Sequence, residues 1–296
     1  MKELVILSGK GGTGKTSLTA AFASLALDAV LADCDVDAAN LHLLLRPEVR
    51  SRQTFRAGRE ARVQSEACSG CGRCMVACRF DAIGMTGPDE AAVVDPLGCE
   101  GCGVCGFVCP TGAIEFSDCV AGDVMISDTR CGPMVHSRLT PGSDNSGKLV
   151  AHVRQAARRL AEQRTCPLLL IDGPPGLACP TMAALTGCVH ALIVIEPTMS
   201  GLHDLDRVLA LTGHFSVPTS VCVNKWDIDA ERSVAIERHV RAAGARFAGR
   251  IRYDRGITDA QMRAETAVEA GVASAGDIRA VWQKLAGQLA IERVDG

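Results

Sequence analysis

The segment from Gly9 to Thr16 has the residue types and the spacing of a phosphate-binding loop. It reads G-K-G-G-T-G-K-T, which fits the pattern G-x4-G-K-[ST]. The apolar run Leu4–Leu7 before it is typical of a buried strand, and the stretch after it is typical of a helix. In that context glycines let backbone N–H groups turn towards phosphate oxygens at the positive end of the helix. We therefore expect the following residues to bind nucleotide phosphates: Gly9, Lys10, Gly11, Gly12, Thr13, Gly14, Lys15, Thr16 and Ser17.

Two members of this loop have predicted roles in chemistry. Lys15 should reach the β- and γ-phosphates of a bound nucleotide, and the Thr16 hydroxyl should be a ligand of Mg²⁺. A glycine-rich turn that carries lysines by chance is the alternative interpretation. The strand before the loop and the helix after it favour the phosphate site, because the motif requires that context.

Carboxylates follow two further apolar runs. The cluster Asp33–Asp37 comes after Ala29–Ala32, and Asp172 comes after Leu168–Ile171. The carboxyl ends of the strands form the ligand-binding edge of a parallel sheet, and acidic groups beside a triphosphate are costly unless they bind Mg²⁺ or orient water. Asp172 therefore has the place of the Walker B aspartate. The Gly-Pro-Pro-Gly after it predicts a loop that responds to the γ-phosphate.

Eight of the fifteen cysteines form two runs with one shared spacing, C-x2-C-x2-C-x3-C. That spacing is typical of bacterial proteins that hold two [4Fe-4S] clusters, in which the fourth cysteine of each run binds the other cluster. The first predicted cluster site, called site I, has the ligands Cys68, Cys71, Cys74 and Cys109. The second, called site II, has the ligands Cys99, Cys102, Cys105 and Cys78.

Zinc is the alternative metal for pairs of the type C-x2-C. Two complete four-cysteine runs, the second followed by Pro110, favour iron–sulfur clusters instead. The first run departs from the usual pattern at Arg79, where proline is common, but this residue is not a ligand. Exchange of the fourth ligand brings two clusters close together, which suits electron relay.

Short apolar runs alternate with helix-like stretches over most of the chain. Besides the runs named above, Ala191–Ile195 and Ser220–Val223 predict buried parallel strands, whereas Ser146–Gln163 and Ala230–Ala243 predict helices. Such alternation predicts an α/β fold with a doubly wound, mostly parallel sheet.

The alternation is missing between Cys34 and Leu168, where Cys and Gly are enriched. A gap of that length inside a compact α/β domain predicts an inserted unit. We place a small α+β domain of the bacterial ferredoxin type at residues 52–117. Residues 1–51 and 118–296 are then the two parts of one discontinuous P-loop domain.

The composition is that of a soluble globular protein. Of 296 residues, 47% are hydrophobic and 22% charged, and the formal net charge is −3. This charge argues against general attraction to nucleic acid or to anionic lipid. The sequence contains neither a secretory signal pattern nor the roughly 20 apolar residues of a membrane span. We therefore expect a cytoplasmic protein with no nucleic-acid partner and no stable membrane anchor.

Lys10 adds a second lysine to the loop, which from this residue reads K-G-G-T-G-K-T. The chain thereby resembles the MinD/ParA/nitrogenase-iron-protein class of P-loop ATPases, whose deviant Walker A motif reads K-G-G-x-G-K-[ST]. The resemblance implies that Lys10 reaches across a dimer to the partner's nucleotide. It also implies that Asp35 positions the attacking water. Asp35 lies in the segment Asp33–Asp37, which corresponds to switch I of that class. Lys10, Lys15 and Asp35 are thus the predicted catalytic residues, and Thr16, Asp35 and Asp172 the predicted Mg²⁺ residues.

The segment that should recognise the base of the nucleotide fits two patterns. Asn224-Lys225-Trp226-Asp227 matches the pattern N-K-x-D, in which GTPases recognise guanine through the aspartate. ATPases of the class named above use only the asparagine, for adenine. We expect ATP and ADP bound through Asn224, and GTP bound through Asp227 is the alternative.

With the cysteine runs included, nearly the whole chain resembles MinD-superfamily ATPases that carry an inserted ferredoxin domain. Segments 78–83, 133–139 and 146–150 share that family's character. The resemblance implies Mg²⁺-dependent ATP hydrolysis, two [4Fe-4S] clusters, and a nucleotide-dependent homodimer or a heterodimer of paralogues. We expect dimer rearrangement to be coupled to electron transfer or metallocluster handling, with a redox protein or metalloprotein as partner.

Two further functions share the same residues. One is an ATPase for maturation of iron–sulfur or other metal centres, in which the clusters are cargo or sensors. The other is an ATP-gated spatial organiser or partitioning ATPase that the clusters tune. Two ligand-complete cluster sites favour a redox-linked role.

Cys179 lies seven residues after Asp172, and the nitrogenase iron protein has a cysteine at a similar offset that binds a cluster shared between subunits. Cys131 is the candidate companion. The alternative is a small buried thiol at the start of a helix, and the sequence leaves the question open.

Overall fold

The protein is described here from a computed structural model, which covers residues 1–87, 90–140 and 146–291. The strands of this described part are β1 (Lys2–Ser8), β2 (Ala29–Asp33), β3 (Glu48–Val63), β4 (Ile83–Met85), β5 (Ala92–Val94), β6 (Ile114–Thr129), β7 (Gly132–Leu139), β8 (Leu168–Pro175), β9 (His190–Ile195), β10 (Thr219–Asn224) and β11 (Arg246–Ile251). The α-helices are α1 (Lys15–Leu25), α2 (Leu41–Leu45), α3 (Arg73–Ala77), α4 (Val104–Val108), α5 (Ser146–Gln163), α6 (Cys179–Leu185), α7 (Met199–His214), α8 (Ala230–Ala242), α9 (Gly256–Met262) and α10 (Ala275–Leu289).

Nine strands form one sheet in the order β11-β10-β9-β1-β8-β2-β7-β6-β3. The pairs β1·β8, β1·β9, β2·β8, β2·β7, β9·β10 and β10·β11 are parallel. Because β1 lies between β8 and β9, and β8 lies between β1 and β2, the ends of β1, β2 and β8 meet at one edge. The predicted α/β fold with a mostly parallel sheet is confirmed, and this edge brings the P-loop, Asp35 and Asp172 together.

The apolar runs identified in the sequence are strands, each longer than its run by one to four residues. The run Leu4–Leu7, for example, lies within β1, and Leu168–Ile171 lies within β8. Strand β11 was not predicted from the sequence, because Arg246, Gly249 and Arg250 interrupt its apolar pattern. A short apolar pattern that polar residues interrupt does not by itself predict a strand.

The core on the α1 face of the sheet is made of aliphatic side chains from α1, α2 and α10 against β1, β2 and β8. The rings of Phe22 and Trp282 stack with centroids 5.3 Å apart. Such aromatic pairs add roughly 0.5–1.5 kcal/mol beyond their buried area. This packing fixes α1, and therefore the P-loop at its N-terminus, against the sheet.

The chain divides into two compact units. The first consists of Met1–Gln53, Val124–Arg138 and Ser146–Gly296, and the second of Thr54–Asp123 and Leu139–Asn145. Within the second unit β4 and β5 pair antiparallel, and α3 and α4 lie in contact. A small core of Ala61, Cys74, Ile83, Ala92, Cys105 and Ile114 holds this unit together. The ferredoxin-type character of residues 52–117 stays a prediction.

In the part of the chain that the structure covers, no helix has the length and apolar character needed to cross a membrane.

Candidate functional site

A cleft of about 590 Å³ opens at the carboxyl edge of the sheet in the first unit. Most of the predicted phosphate-binding loop lines it, and so does the predicted switch I aspartate. The lining members of the predicted set are Gly11, Gly12, Thr13, Gly14, Lys15, Thr16, Ser17 and Asp35. Gly9 and Lys10 instead border a small pocket between the loop and α7. A cleft of this size is large enough for a nucleotide, since typical small-ligand pockets occupy about 300–1,000 Å³.

Lys15 lies between two carboxylates at the base of the cleft. Its Nζ atom is 3.0 Å from Asp172 Oδ1 and 3.3 Å from Asp35 Oδ2. The Lys15 and Asp172 side chains are 6% and 0% exposed, so water screens this contact little. Burial opposes the charged lysine, but the two carboxylates outweigh it and raise the pKa of Lys15. The lysine that is predicted to bind phosphate is therefore held by two carboxylates in this structure.

Asp33 is a third carboxylate near Lys15, and no role was predicted for it from the sequence. It is fully buried, and its oxygens accept hydrogen bonds from the backbone N–H groups of Leu41 and Asp35. Burial and the nearby Asp172 charge raise the pKa of Asp33 well above its usual value. Burial also raises the pKa of Asp35, against the pull of Lys15. Asp33 thus orders the start of switch I, and its place at the end of β2 was the available signal.

Two buried oxygens near Lys15 have no hydrogen-bond partner among the described residues. They are Thr13 Oγ1 in the loop and Asp172 Oδ2. The other oxygen of Asp172 already accepts from Lys15 and from the Thr19 hydroxyl. A buried acceptor left unpaired is costly, so an unpaired carboxylate oxygen beside a phosphate loop fits a Mg²⁺ ligand or a Mg²⁺-bound water. The residues present therefore fit a Mg²⁺ ion carried by a nucleotide.

Asn224 holds the phosphate loop through a hydrogen bond to the loop backbone. Its Nδ2 atom donates to the Thr13 carbonyl oxygen at 2.8 Å, and its Oδ1 atom accepts from the Lys225 N–H at 3.0 Å. Gly14, next to Thr13, has a φ of +91°, and a Cβ atom there would lie 2.4 Å from Asn224 Nδ2. Glycine is therefore required at this position both by the backbone conformation and by the closeness of Asn224.

We expect Gly14→Ala to lower the free energy of unfolding of the nucleotide-free protein by about 2–4 kcal/mol, from αL strain plus overpacking. Urea unfolding measures this change directly. Gly12→Ala is the matched control, since Gly12 also has a positive φ, of +81°, but a Cβ atom there would meet nothing within 4 Å. Equal losses in the two variants would show that contact with Asn224 does not restrict the loop.

Lys10 is held by residues of the first unit rather than free in solvent. Its Nζ atom is 3.3 Å from Glu196 Oε2 and 3.5 Å from Thr198 Oγ1. Lys225 Nζ binds the other oxygen of Glu196 at 2.5 Å. Burial opposes ionisation of Glu196, yet these two lysines outweigh it and lower its pKa. Glu196, at the end of β9, was missed because no local motif surrounds it.

The residues predicted to read the base do not line the cleft. Asn224 has both amide atoms engaged behind the loop, and Asp227 Oδ1 accepts from the Tyr253 N–H at 2.6 Å. Thr258, Gln261 and Met262 of α9 line the cleft instead. Gln261 Nε2 donates to the Ser17 hydroxyl at 2.6 Å. Base recognition through Asn224 or Asp227 stays a prediction, and no sequence pattern pointed to α9.

In the second unit, the cysteines of site II line one small pocket. The pocket is bordered by Cys78 together with Cys99, Cys102 and Cys105, so the exchanged fourth cysteine is among them. The structure therefore places the four predicted ligands of site II around one pocket. The site I set of Cys68, Cys71, Cys74 and Cys109 stays a prediction.

Within the described residues, no group of three or more His, Cys, Asp or Glu side chains is arranged to hold a metal ion. A [4Fe-4S] cube makes a different demand, because its four thiolates bind four separate irons rather than one ion. The eight cysteines thus remain predicted cluster ligands, and the pocket at site II is the observation that fits this prediction.

Cys179 and Cys131, the candidates for a bridging cluster, lie in different surroundings. Cys179 is exposed at the start of α6, where its Cβ atom would be 3.3 Å from a Cβ atom built on Gly147. Cys131 is half-buried beside Arg130 and Glu269, and burial raises the pKa of its thiol to about 11. A bridging cluster stays a prediction.

Comparison with known proteins identifies relatives of this chain. The family model described as "CobQ/CobB/MinD/ParA nucleotide binding domain" matches residues 4–267. The uncharacterized protein MJ0578 of Methanocaldococcus jannaschii is 33% identical over 228 residues, which cover 75% of this chain and 78% of that protein. A second protein of the same organism, MJ0579, is 24% identical over 260 residues, or 77% of this chain and 82% of that protein.

Among solved structures, the septum site-determining protein MinD from Pyrococcus horikoshii, complexed with Mg-ADP, has the same fold. The TM-score is 0.60 at 18% sequence identity, and the match covers 97% of this chain and 98% of that protein.

Proposed function

The chain belongs to the CobQ/CobB/MinD/ParA nucleotide-binding domain family, and we propose that it is a Mg²⁺-dependent ATPase whose ATP-bound form is a dimer. One observation carries this proposal. A buried lysine of the phosphate loop is held by two carboxylates at the base of a nucleotide-sized cleft, beside buried oxygens with no hydrogen-bond partner in the described part of the chain. Phosphate and Mg²⁺ together satisfy all of these groups.

Each residue of the site has a defined task in this proposal. Lys15 exchanges its carboxylate partners for the β- and γ-phosphates, which carry more negative charge. Asp35, released from Lys15, orients the attacking water. Thr16 and Asp172 would hold Mg²⁺, with Asp35 nearby, and the ion would neutralise phosphate charge. Asp33 keeps switch I in place through its bonds to the Leu41 and Asp35 N–H groups.

Lys10 links the nucleotide to the dimer. In the structure, Glu196 and Thr198 hold its ammonium group. Its side chain is 36% exposed, so this contact is partly screened and weak enough to be exchanged. We propose that Lys10 leaves Glu196 to contact the nucleotide of a second chain. That second chain is another copy or a paralogue, and the two related proteins of one organism support the latter arrangement.

We expect Lys10→Ala to keep ATP binding within about threefold of wild type and to lose the ATP-dependent dimer, since the lysine acts on the partner's nucleotide. Light scattering with and without Mg-ATP measures the mass, and calorimetry measures binding. Lys225→Ala is the matched control, because it removes the other ion pair of Glu196 and should keep the mass shift. A dimer retained by Lys10→Ala would contradict the assigned role.

The likeness to a septum site-determining protein favours a positional or partitioning role for this ATPase over a purely redox role. In such a role, ATP-driven dimerisation decides where or with what the protein associates. The proposal predicts that partner binding follows the nucleotide state and survives loss of the second unit's cysteines.

The second candidate function is a redox-linked ATPase with two [4Fe-4S] clusters. The pocket bordered by Cys78, Cys99, Cys102 and Cys105 favours it, because it contains a complete thiolate set that includes the exchanged ligand. The clusters would supply one-electron transfer to a redox protein or metalloprotein, or serve as cargo or sensors in maturation of metal centres.

Anaerobic redox titration with and without Mg-ATP separates the two candidates. A change in potential on addition of Mg-ATP supports the redox-linked function. Potentials that ATP does not alter, together with partner binding that persists after Cys102→Ala, support the positional function. Absence of hydrolysis in the presence of Mg²⁺ and candidate partners would contradict both.

A further inference from the structure

We propose that Arg130 and Arg46 are positioning residues for nucleotide binding, because they hold the C-terminal end of α9 beside the cleft. The inference rests on the proposed nucleotide site and deepens it, since neither arginine lines that cleft. Helix α9 does line it, through Thr258, Gln261 and Met262. The position of α9 therefore determines the shape of one side of the cleft.

A small apolar surface fixes α9 to the core. The helix has seven residues, and helices of that length are not stable through their internal hydrogen bonds alone. Ala260 is buried and Ile257 is half-buried against the core, whereas Met262 is 75% exposed. The helix therefore depends on polar contacts in its middle and at its two ends.

The middle and the start of α9 each have such a contact. Gln261 Nε2 donates to the Ser17 hydroxyl of α1 at 2.6 Å. At the start, the Asp254 carboxylate accepts from the backbone N–H groups of Gly256 at 2.8 Å and of Ser274 at 2.7 Å. These bonds connect α9 to α1 and to the residue before α10, and the last turn needs a partner of its own.

The chain leaves α9 through a strained turn. Ala264 has a φ of +54°, a left-handed conformation that glycine commonly adopts at helix ends and that a Cβ atom disfavours. Across this turn the Glu265 N–H donates to the Ala260 carbonyl oxygen at 2.9 Å. Strain of this kind persists only where surrounding contacts hold the backbone in place.

Two arginine side chains supply such contacts. Arg130 Nη2 donates to the Ala264 carbonyl oxygen at 3.0 Å. Arg46 Nη2 donates to the Arg263 carbonyl oxygen at 2.8 Å. Carbonyl groups at the end of a helix lack partners within it and carry partial negative charge, so cations stabilise them. The two arginines therefore hold the end of α9 both by hydrogen bonds and by charge.

The direction of the Arg130 side chain is fixed by Glu269. Its Nε and Nη2 atoms each lie 2.7 Å from one oxygen of the Glu269 carboxylate. The same carboxylate accepts from the Thr266 N–H at 2.8 Å. The Arg130 and Glu269 side chains are 35% and 31% exposed, so water screens their paired bonds only in part. The bond from Arg46 is exposed, so we assign the larger effect to Arg130.

Loss of these bonds should weaken nucleotide binding rather than the chemical step. Arg46 follows α2, and Leu43 and Leu44 of α2 also line the cleft, so its bond joins two of the helices around the nucleotide. Without the arginines, a bound nucleotide has to order α9 at a cost in affinity. Lys15 and Asp35 contact neither arginine, so turnover at saturating ATP should remain.

Two measurements on the full-length protein test the inference. Hydrogen–deuterium exchange without nucleotide should be faster over residues 256–265 in Arg130→Met than in the wild type. The dissociation constant of Mg-ATP should rise about tenfold in Arg130→Met and about threefold in Arg46→Met. Turnover at saturating ATP should stay within about twofold of wild type in both variants.

Lysine variants separate positioning from general destabilisation. Arg46→Lys should restore wild-type affinity, because one donor suffices for the Arg263 carbonyl oxygen. Arg130→Lys should not restore it, because an ammonium group cannot reproduce the planar fork that contacts both Glu269 and the Ala264 carbonyl oxygen.

The matched control is Arg50→Met. Arg50 is another arginine of the first unit that pairs with carboxylates, those of Glu48 and Asp128, and its variant should keep wild-type exchange and affinity. Wild-type exchange in Arg130→Met, wild-type affinity despite faster exchange, or an equal loss of affinity in Arg50→Met would each overturn the inference. A wild-type protein that binds no ATP contradicts the proposed nucleotide site itself, whereas the other three outcomes leave that site standing.

Discussion

Lys15→Ala should reduce ATP hydrolysis by at least about 10³-fold, the scale of removing one preorganised charge from a phosphoryl-transfer site. Lys15 is the lysine of the loop that lines the nucleotide cleft and touches both Asp35 and Asp172. Steady-state phosphate release measures the effect. Lys284→Ala, at an exposed position on α10, is the control and should keep wild-type activity.

The same variant should unfold more easily without nucleotide. Removing one partner of a buried ion pair costs about 3–5 kcal/mol, because the remaining charges are left uncompensated. The pKa values of Asp33 and Asp35 are already raised, so each binds a proton more readily in the folded state. Their ionisation therefore destabilises the fold above the folded pKa, and that cost disappears as the pH falls towards the unfolded value.

The difference in unfolding free energy between wild type and Lys15→Ala should accordingly shrink from about pH 8 to about pH 5.5. Urea unfolding at both pH values measures it. A difference that is constant or grows on acidification would mean that Lys15 does not compensate these carboxylates. A wild-type rate of ATP hydrolysis by Lys15→Ala would show that Lys15 has no part in catalysis.

Cys102→Ala should lower the iron content from about eight to about four per chain, because site II loses a ligand while site I stays complete. Iron analysis of anaerobically purified protein, together with visible absorbance, measures the loss. Cys71→Ala should remove the other four irons by the same logic. In each variant, the electron paramagnetic resonance spectrum of the remaining cluster should be unchanged.

Cys119→Ala is the control for the cysteine variants. It lies in the same unit as the two runs, is half-buried, and belongs to neither set. It should keep about eight irons per chain. Zinc in place of iron in the wild type, or equal loss in Cys119→Ala and Cys102→Ala, would contradict the two proposed ligand sets.

Features carried by contiguous residues were predictable from the sequence. The phosphate loop, β8 with Asp172 at its end, and α5 follow from local patterns of glycine, apolar residues and helical periodicity. The parallel sheet followed from their alternation. These elements depend on backbone preferences and burial, which short segments encode directly.

Contacts between distant segments were predictable only where a motif placed both partners at the carboxyl edge of the sheet, as for Lys15 with Asp35 and Asp172; the others were not. Gln261 of α9 meets Ser17 across 244 positions, and Lys10 meets Glu196 across a comparable span. Asn224 illustrates the limit most clearly. Its motif indicated base recognition, whereas its amide atoms bond to the loop backbone and to Lys225. A motif specifies which groups a residue can bind, but the fold decides which partners it meets.

Calorimetric titration of the nucleotide-free protein with ATP, in the presence and absence of Mg²⁺, tests the proposed nucleotide and Mg²⁺ site. We expect one ATP per chain. ATP should bind more tightly with Mg²⁺, because Asp172 and Thr16 can then coordinate the ion. Saturable binding that ignores Mg²⁺ would contradict the assigned metal residues. No binding of ATP at all would contradict the proposed nucleotide site.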